Sequence, residues 1–596
     1  MGMHTSYEYG RREFHLRRED EGGLALSVLV LLAVAAAFYV LASRFHFRPL
    51  QLAEMAVDLS CLMATLTACI WYLGSRRARI AGAWPHPPVF IPRLRDERCV
   101  RRARCSGAVI AGYDNYRRPW LFDDRRRSMQ TLLLGQSGSG KTTLLLNLAS
   151  QDLRRRVDGR PLPLMVFDGK GDQQFLQEFV REVYAAGRNQ DLRVIDPFQP
   201  EVSARFNPFF GPRATAAERV GAFFESFLLR HDFFRGHQAT YLSDICRVLE
   251  HCGAVYTIPD VVVMARDASV MREQIARARH AVESDSRLSI NARRNFEMSA
   301  RNLLQSLSDR ERIPKIQGLL NELMTFAEDD LSRITNASAD LFTFEELVEH
   351  RLVLLISLNA NKNSRAVTAL GRMLLQALQL MVGERYRSLA SECGKMPPMV
   401  SVMLDEFAPF VHPGFAQLLQ TARGSNVAMI FSLQSIPQLR TVTRSFADEV
   451  SSAPNTLMFL RTRDEESVRF FLNASAKVTG ERRTMTVERE GVFAARYREI
   501  GFGSVTEIEK TRAVDFEIKN LPAGQMQVLT TDERVGTLHL HLHVRRPPSV
   551  RFPAFTPVLY AATAGSPTPS AELRFRDLAL SPDTGRMFKR SGTKRL

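Results

Sequence analysis

Paired cysteines are missing from this chain. Its seven cysteines, Cys61, Cys69, Cys99, Cys105, Cys246, Cys252 and Cys393, are scattered over 596 residues without one C-x-x-C pair. That excludes a zinc ribbon and a disulfide framework, and it suits a reducing compartment. Acid is also in deficit. Against 80 Lys and Arg stand 64 Asp and Glu, a formal charge of +16, which favours an anionic partner, either nucleic acid or a membrane surface. Coding bias is the plainer source of part of the arginine excess. No internal repeat is evident, so a repeat architecture is set aside. The length exceeds one ordinary core and implies two or three soluble units.

Against these absences stands Thr131-Leu-Leu-Leu-Gly-Gln-Ser-Gly-Ser-Gly-Lys-Thr-Thr143. The spacing predicts a buried strand over Met129–Leu134, a glycine-rich loop, and a helix over Thr143–Ala149. Gly135, Gly140, Lys141 and Thr142 fit G-x-x-x-x-G-K-[ST], the phosphate-binding loop. Glycines let successive backbone N–H groups turn inward onto phosphate oxygens, and the following helix aims its N-terminal partial charge at the same anion. The loop Gly135, Gln136, Ser137, Gly138, Ser139, Gly140, Lys141, Thr142 and Thr143 is therefore the expected cradle for ATP. Lys141 would neutralise the β- and γ-phosphates and Thr142 would ligate Mg²⁺.

Two apolar runs precede it. Gly23–Ala42 is uncharged and long enough for roughly 30 Å of hydrocarbon, and Met55–Gly74 holds only Asp58, near one end. Arg11, Arg12, Arg17 and Arg18 precede the first run and Arg76, Arg77 and Arg79 follow the second, with only Arg44 and Arg48 between. The positive-inside rule puts both termini in the cytoplasm. The competing readings are a cleaved signal peptide for the first run and a core helix for the second.

Beyond an Arg-rich linker over roughly Ser75–Arg104, strand-like runs alternate with amphipathic stretches, the pattern of a parallel α/β sheet. Strands are expected at Leu162–Asp168, Leu192–Asp196, Leu352–Leu358, Val400–Leu404, Ala428–Ser432 and Thr456–Leu460. Between about Ala214 and Leu347 helical spacing takes over, which predicts an inserted helical domain. Its middle carries Arg272, Arg277, Arg279, Arg287, Arg293, Arg294 and Arg301, either a solvated surface or a phosphate-contacting face. The last ~35 residues lack periodicity and have the composition of a disordered tail.

The apolar run Val400–Leu404 ends in Asp405 and Glu406. Asp405 is placed to hold Mg²⁺, and Glu406 to take a proton from attacking water. Arg423 follows a predicted helix and is either a finger reaching a neighbouring subunit's γ-phosphate or a surface arginine favoured by the macrodipole. Gln434, after its buried strand, can sense phosphate or orient water, although strand-end glutamines are usually incidental. His539, His541 and His543 share one strand face, as a zinc site or simply an outer polar face.

In order, the membrane hairpin, the phosphate loop, Phe167-Asp-Gly-Lys-Gly-Asp172, Phe206-Asn-Pro208, the helical insertion, Leu404-Asp-Glu-Phe407, Arg423 and Phe431-Ser-Leu-Gln-Ser-Ile-Pro-Gln438 resemble the type IV secretion coupling proteins of TraD/TraG type. The resemblance covers residues from near 20 to about 545. It implies an α/β fold: a RecA-like P-loop ATPase domain with an inserted all-α domain and an N-terminal two-helix transmembrane hairpin. The divisions expected are a cytoplasmic N-terminus (1–22), the hairpin (23–74), a first nucleotide-binding segment (75–213), the all-α insertion (214–347), a second nucleotide-binding segment (348–560) and a disordered basic tail (561–596). It further implies hydrolysis by Lys141, Thr142, Asp405 and Glu406, a trans-acting Arg423, and Gln434 as coupling residue. It implies too a ring, usually a homo-hexamer, at the bacterial inner membrane, with DNA or a relaxase–DNA complex and secretion-channel membrane proteins as partners. Protein effectors are the alternative cargo, and an FtsK-like translocase is a third reading. The chain departs from the family in one place, with Gly in Asp168-Gly-Lys-Gly-Asp172 where many members carry Pro, and this leaves the substrate class open.

Overall fold

Each strand expected in the α/β region is present in the computed structural model, and several strands appear that the run pattern does not announce. In chain order they are β1 Ala108–Tyr113, β2 Pro119–Asp123, β3 Thr131–Leu134, β4 Arg156–Val157, β5 Arg160–Pro161, β6 Leu164–Asp168, β7 Leu192–Ile195, β8 Val353–Ser357, β9 Val400–Asp405, β10 Val427–Leu433, β11 Thr456–Phe459, β12 Lys477–Arg489, β13 Tyr497–Thr511, β14 Gln525–Asp532 and β15 Gly536–Val544. The structure describes residue 86 and residues 88–547, except 213–215, 228–231, 329–330, 360–363, 390–396, 476, 490–496, 512 and 533–535. The chain divides into Met1–Pro88 and Val89–Leu596. Both expected membrane segments and the 561–596 tail lie outside the described residues.

Eleven strands make one sheet in the order β2-β1-β15-β14-β11-β3-β10-β9-β6-β8-β7. From β11 to β7 every neighbouring pair is parallel, while β14, β15, β1 and β2 extend it antiparallel. β3, β6, β8, β9, β10 and β11 are buried at every position. Burial on both faces is why they read as unbroken Val, Ile, Leu and Met rather than as an alternation. Successive residues still serve opposite layers. Leu132, Phe167, Leu404 and Phe431 join one core, with the helices Ser364–Leu389 and Phe415–Gly424. Leu133, Val166, Met403 and Ile430 join the other, with Lys141–Asp152 and Gln173–Ala185.

The connection from β7 to β8 is helical and carries no strand among the described residues. Its entry is fixed by the Phe206-Asn-Pro-Phe209 sequence. Asn207 Nδ2 donates to the carbonyls of Tyr256 at 2.8 Å and Ala337 at 3.2 Å. The Phe209 ring then starts an aromatic chain through Phe223, Phe227 and Phe326 into the helices. One sequence expectation needs correction. The stretch read as a linker to Arg104 ends in a helix, Arg93–Cys105, which buries only Ala103. It is held by polar contacts, among them Arg545 to Asp96 at 2.7 Å, and by a small apolar patch of Cys99, Val100 and Ala103, too short to announce it.

A buried ion pair ties three elements together at the amino ends of the strands. Arg127 Nη1 donates to Asp152 at 2.8 Å, and both side chains are fully buried. Ser401, near the start of β9, donates to Asp152 at 2.8 Å and accepts from Arg127 at 3.0 Å. Burial alone would push the Asp152 carboxyl up; Arg127 and Arg155 outweigh it and hold it below the usual carboxylate range. Arg127→Ala leaves this carboxylate with only Arg155 and Ser401, so a loss of about 3 kcal/mol is expected in denaturant unfolding, with a smaller loss when Arg127→Met is combined with Asp152→Leu.

His412 is also buried, against Phe415. Burial first, and then the Arg372 charge, push its imidazole down from 6.5 to about 4. In that window the unfolded chain binds the extra proton. The contribution of a neutral His412 is therefore complete above pH 6.5 and is lost as pH falls toward about 4. Thermal midpoints of the wild type should drop between pH 7.5 and 4.5, with His412→Gln flattening part of that drop.

Candidate nucleotide site at the carboxyl edge of the sheet

Parallel strands bring their carboxyl ends to one edge, and open α/β sheets bind ligands there. In this chain β3, β10, β9 and β6 are consecutive in the sheet. Their ends present the phosphate loop, Gln434, the Asp405–Glu406 pair and the Asp168 loop side by side.

The phosphate loop is set by conformation and by neighbours. Gly138 and Gly140 have φ of +73° and +109°, where a Cβ is strained, and Gly140 opens the helix Lys141–Asp152. The loop is braced from two sides, since Gln136 N–H donates to the Arg461 carbonyl at 2.9 Å and Gly524 N–H to the Ser139 carbonyl at 3.0 Å. Lys141 Nζ donates back to the Gly135 carbonyl and, at 3.5 Å, to Gln136. Burial, reinforced by the charge of Lys170, holds its pKa below the usual lysine range although Glu406 and Asp405 oppose this. Ser139 Oγ is buried without a hydrogen-bond partner among the described residues.

A continuous hydrogen-bond chain leaves this loop. Thr142 Oγ1 donates to Asp405 Oδ2 at 2.8 Å, and Ser432 Oγ donates to Asp405 Oδ1 at 2.6 Å. Ser432 Oγ also accepts from the Glu406 N–H at 3.0 Å. Gln434 Nε2 donates to Glu406 Oε1, and Lys170 Nζ lies 3.4 Å from Glu406 Oε2. Glu406 is 9% exposed and its φ is +48°, an uncommon conformation for a residue with a Cβ and one found at functional sites. Asp168 pairs in register with Asp405. Burial pushes its carboxyl up to about 7, with Asp405 and Asp172 adding to this and the N–H groups of Lys170 and Asp172 opposing it.

This arrangement suits a phosphate and a hard cation. Loop amides and Lys141 offer donors to an anion. Thr142 and Asp405 offer oxygens only, as Mg²⁺ prefers, and Mg²⁺ commonly takes one or two carboxylates and keeps its remaining waters. No cluster of three or more His, Cys, Asp or Glu side chains suited to a metal occurs among the described residues. The imidazoles of His539, His541 and His543 each meet an amide oxygen, at 2.8 Å to Gln527, 3.0 Å to Gln525 and 2.9 Å to Asn115.

The structure thus brings together Lys141, Thr142, Asp405, Glu406 and Gln434, but not Arg423. The helix Phe415–Gly424 returns the chain to the start of β10, so the exposed Arg423 lies at the amino end of the sheet, away from its own chain's loop. Sequence reasoning gave no role to Ser432, Lys170 or Asp168. A lone serine inside the apolar run Val427–Leu433 was the available signal for the first. In the insertion, Arg279 and Arg301 share Glu297 at 2.9 and 3.5 Å, and Arg277 meets Glu273 at 3.7 Å. Arg272, Arg287 and Arg294 form no ion pair among the described residues.

Residues 399–510 match the model of the family described as "TraM recognition site of TraD and TraG". That stretch is of the TraD/TraG type. It contains Asp405, Glu406, Arg423 and Gln434 but not the phosphate loop. No curated protein matches the chain. Similar solved structures include the bacterial conjugative coupling protein TrwBΔN70 in its unbound monoclinic form (15% identity, 77% of this chain and 94% of that one, TM-score 0.48). TrwB in complex with ADP and Mg²⁺ is similar at 16% identity (72% and 89%, TM-score 0.45). VirB4 of Thermoanaerobacter pseudethanolicus is similar at 14% identity (74% and 97%, TM-score 0.41).

Ser432→Ala would leave Asp405 Oδ1 and the Glu406 N–H without their shared partner. A stability loss of about 1–3 kcal/mol is expected by denaturant titration.

Proposed function

We propose that this protein is a RecA-like P-loop ATPase of the bacterial inner membrane that recruits DNA or nucleoprotein and couples ATP hydrolysis to its transfer into a type IV secretion channel. The observation that carries the ATPase reading is the unbroken hydrogen-bond chain from Thr142 through Asp405 and Ser432 to Glu406 and Gln434, beside the phosphate loop. The TraD/TraG match over 399–510 supports the setting.

In this reading the backbone of Gly135–Thr143 cradles the phosphates, and Lys141 swings from the loop carbonyls onto the β- and γ-phosphates. Thr142 and Asp405 hold Mg²⁺, which when bound neutralises phosphate charge. Glu406 takes the proton of the attacking water, and Gln434 fixes the Glu406 carboxylate. Arg423, far from its own loop, serves a neighbouring subunit in a hexamer. The 23–74 hairpin anchors the ring, and the 214–347 insertion faces cargo. Secretion-channel membrane proteins are the partners that receive it.

A second reading, a receptor for protein effectors, draws on two observations. The matched family is described by a protein-recognition site. Several arginines of the insertion are also neutralised by neighbouring glutamates, which weakens its attraction for phosphate.

The test is ATP turnover by the full-length protein in detergent, with and without single- and double-stranded DNA at several salt concentrations. DNA stimulation that weakens with salt is expected. Lys141→Ala should abolish turnover, and Glu406→Gln should lower it by about 10²–10⁴-fold. Turnover indifferent to DNA at low salt would overturn the DNA-motor reading and favour the effector receptor.

A further inference from the structure

We infer that Lys170 is a positioning residue for Glu406, and that Gly169 is the residue that lets it reach. The inference rests on the proposed ATPase reading. Glu406 Oε1 is held by Gln434, whereas Oε2 is buried with no well-oriented hydrogen bond among the described residues and lies 3.4 Å from the Lys170 ammonium. A general base that swings freely wastes its encounters with water. An amide on one oxygen and an ammonium opposite the other fix the plane of the carboxylate, and lone pairs remain to accept a proton.

The loop carrying Lys170 is rigid by construction. Asp168 accepts from the N–H groups of Lys170 at 3.0 Å and Asp172 at 2.7 Å. Its own carbonyl accepts from Leu358 N–H at 2.8 Å. Asp172 caps the next helix, accepting from Gln174 N–H at 2.9 Å, and Gly171 turns at φ +62° against Asn359. Gly169 N–H donates to the Asp405 carbonyl at 2.9 Å, a bond that proline cannot make. A Cβ on Gly169 would overlap the Glu406 carbonyl oxygen. Glycine here lets the Asp168–Asp172 loop lie flush on the backbone of the Asp405–Glu406 pair, and this contact sets the reach of Lys170. The Lys170 side chain is one-third exposed, so replacing it does not open the core.

The experiment compares full-length wild type with Lys170→Met, Lys170→Arg, Gly169→Ala, Glu406→Gln and the Lys170→Met/Glu406→Gln pair. It measures kcat, KM and equilibrium binding of a non-hydrolysable ATP analogue. Lys170→Met is expected to lower kcat roughly 10- to 100-fold with analogue binding changed less than about threefold. Lys170→Arg should recover most of the loss, Gly169→Ala should follow Lys170→Met, and the double variant should turn over no more slowly than Glu406→Gln alone. Unchanged or raised kcat in Lys170→Met would overturn the inference. So would a loss confined to analogue binding, which would make Lys170 a phosphate ligand. If the wild type does not hydrolyse ATP, or Glu406→Gln leaves turnover intact, the ATPase reading fails instead, which is a separate result.

Discussion

Asp405 is one hydrogen bond from every other element of the site. Its two carboxylate oxygens accept from Thr142 and Ser432, and its carbonyl accepts from Gly169. The phosphate-loop helix, the strand between that loop and the carboxylates, and the loop after β6 are therefore all referenced to one residue. A buried carboxylate tolerates this because each of its two oxygens has a donor, and lone pairs remain on both. Such a hub makes the spacing among Lys141, Glu406 and Gln434 a property of the sheet, since register errors of one residue would turn Asp405 to the opposite layer.

The opposite end of the same strands carries a matching constraint. Arg127, Asp152 and Ser401 join the end of the phosphate-loop helix to the start of β9. The helix and the strand are thus fastened at both termini, by Thr142 to Asp405 at one end and Asp152 to Ser401 at the other. Two fixed points remove the rocking that a single contact would permit. Of the Asp405–Glu406 pair only Glu406 has a positive φ, which rigid surroundings can sustain.

Much of this was legible in the sequence, because the chemistry is local there. The phosphate loop follows from spacing, and fully buried strands write themselves as apolar runs, so β3, β6, β8, β9, β10 and β11 were readable to within a residue or two. The all-helical character of the stretch before β8 was readable from its period. What escaped depends on distant partners. β2 pairs with β1 and β1 with β15, and the Arg93–Cys105 helix is held by Arg545, more than four hundred residues on. Lys170 and Ser432 take their meaning from Glu406 and Asp405, which no local pattern connects to them. Arg423 shows the reverse case. Its helix was readable, and the topology then separated it from its own chain's site.

The strand order has a consequence for how the protein is made. β1 and β2 are translated before the phosphate loop, yet they join the main sheet only through β15. The loop itself is braced by Gly524, in the turn just before β14. A chain emerging from the ribosome thus exposes its phosphate-loop sequence some four hundred residues before the bracing that shapes it. The bracing of the phosphate loop is therefore completed only once the last strands of the sheet have been made.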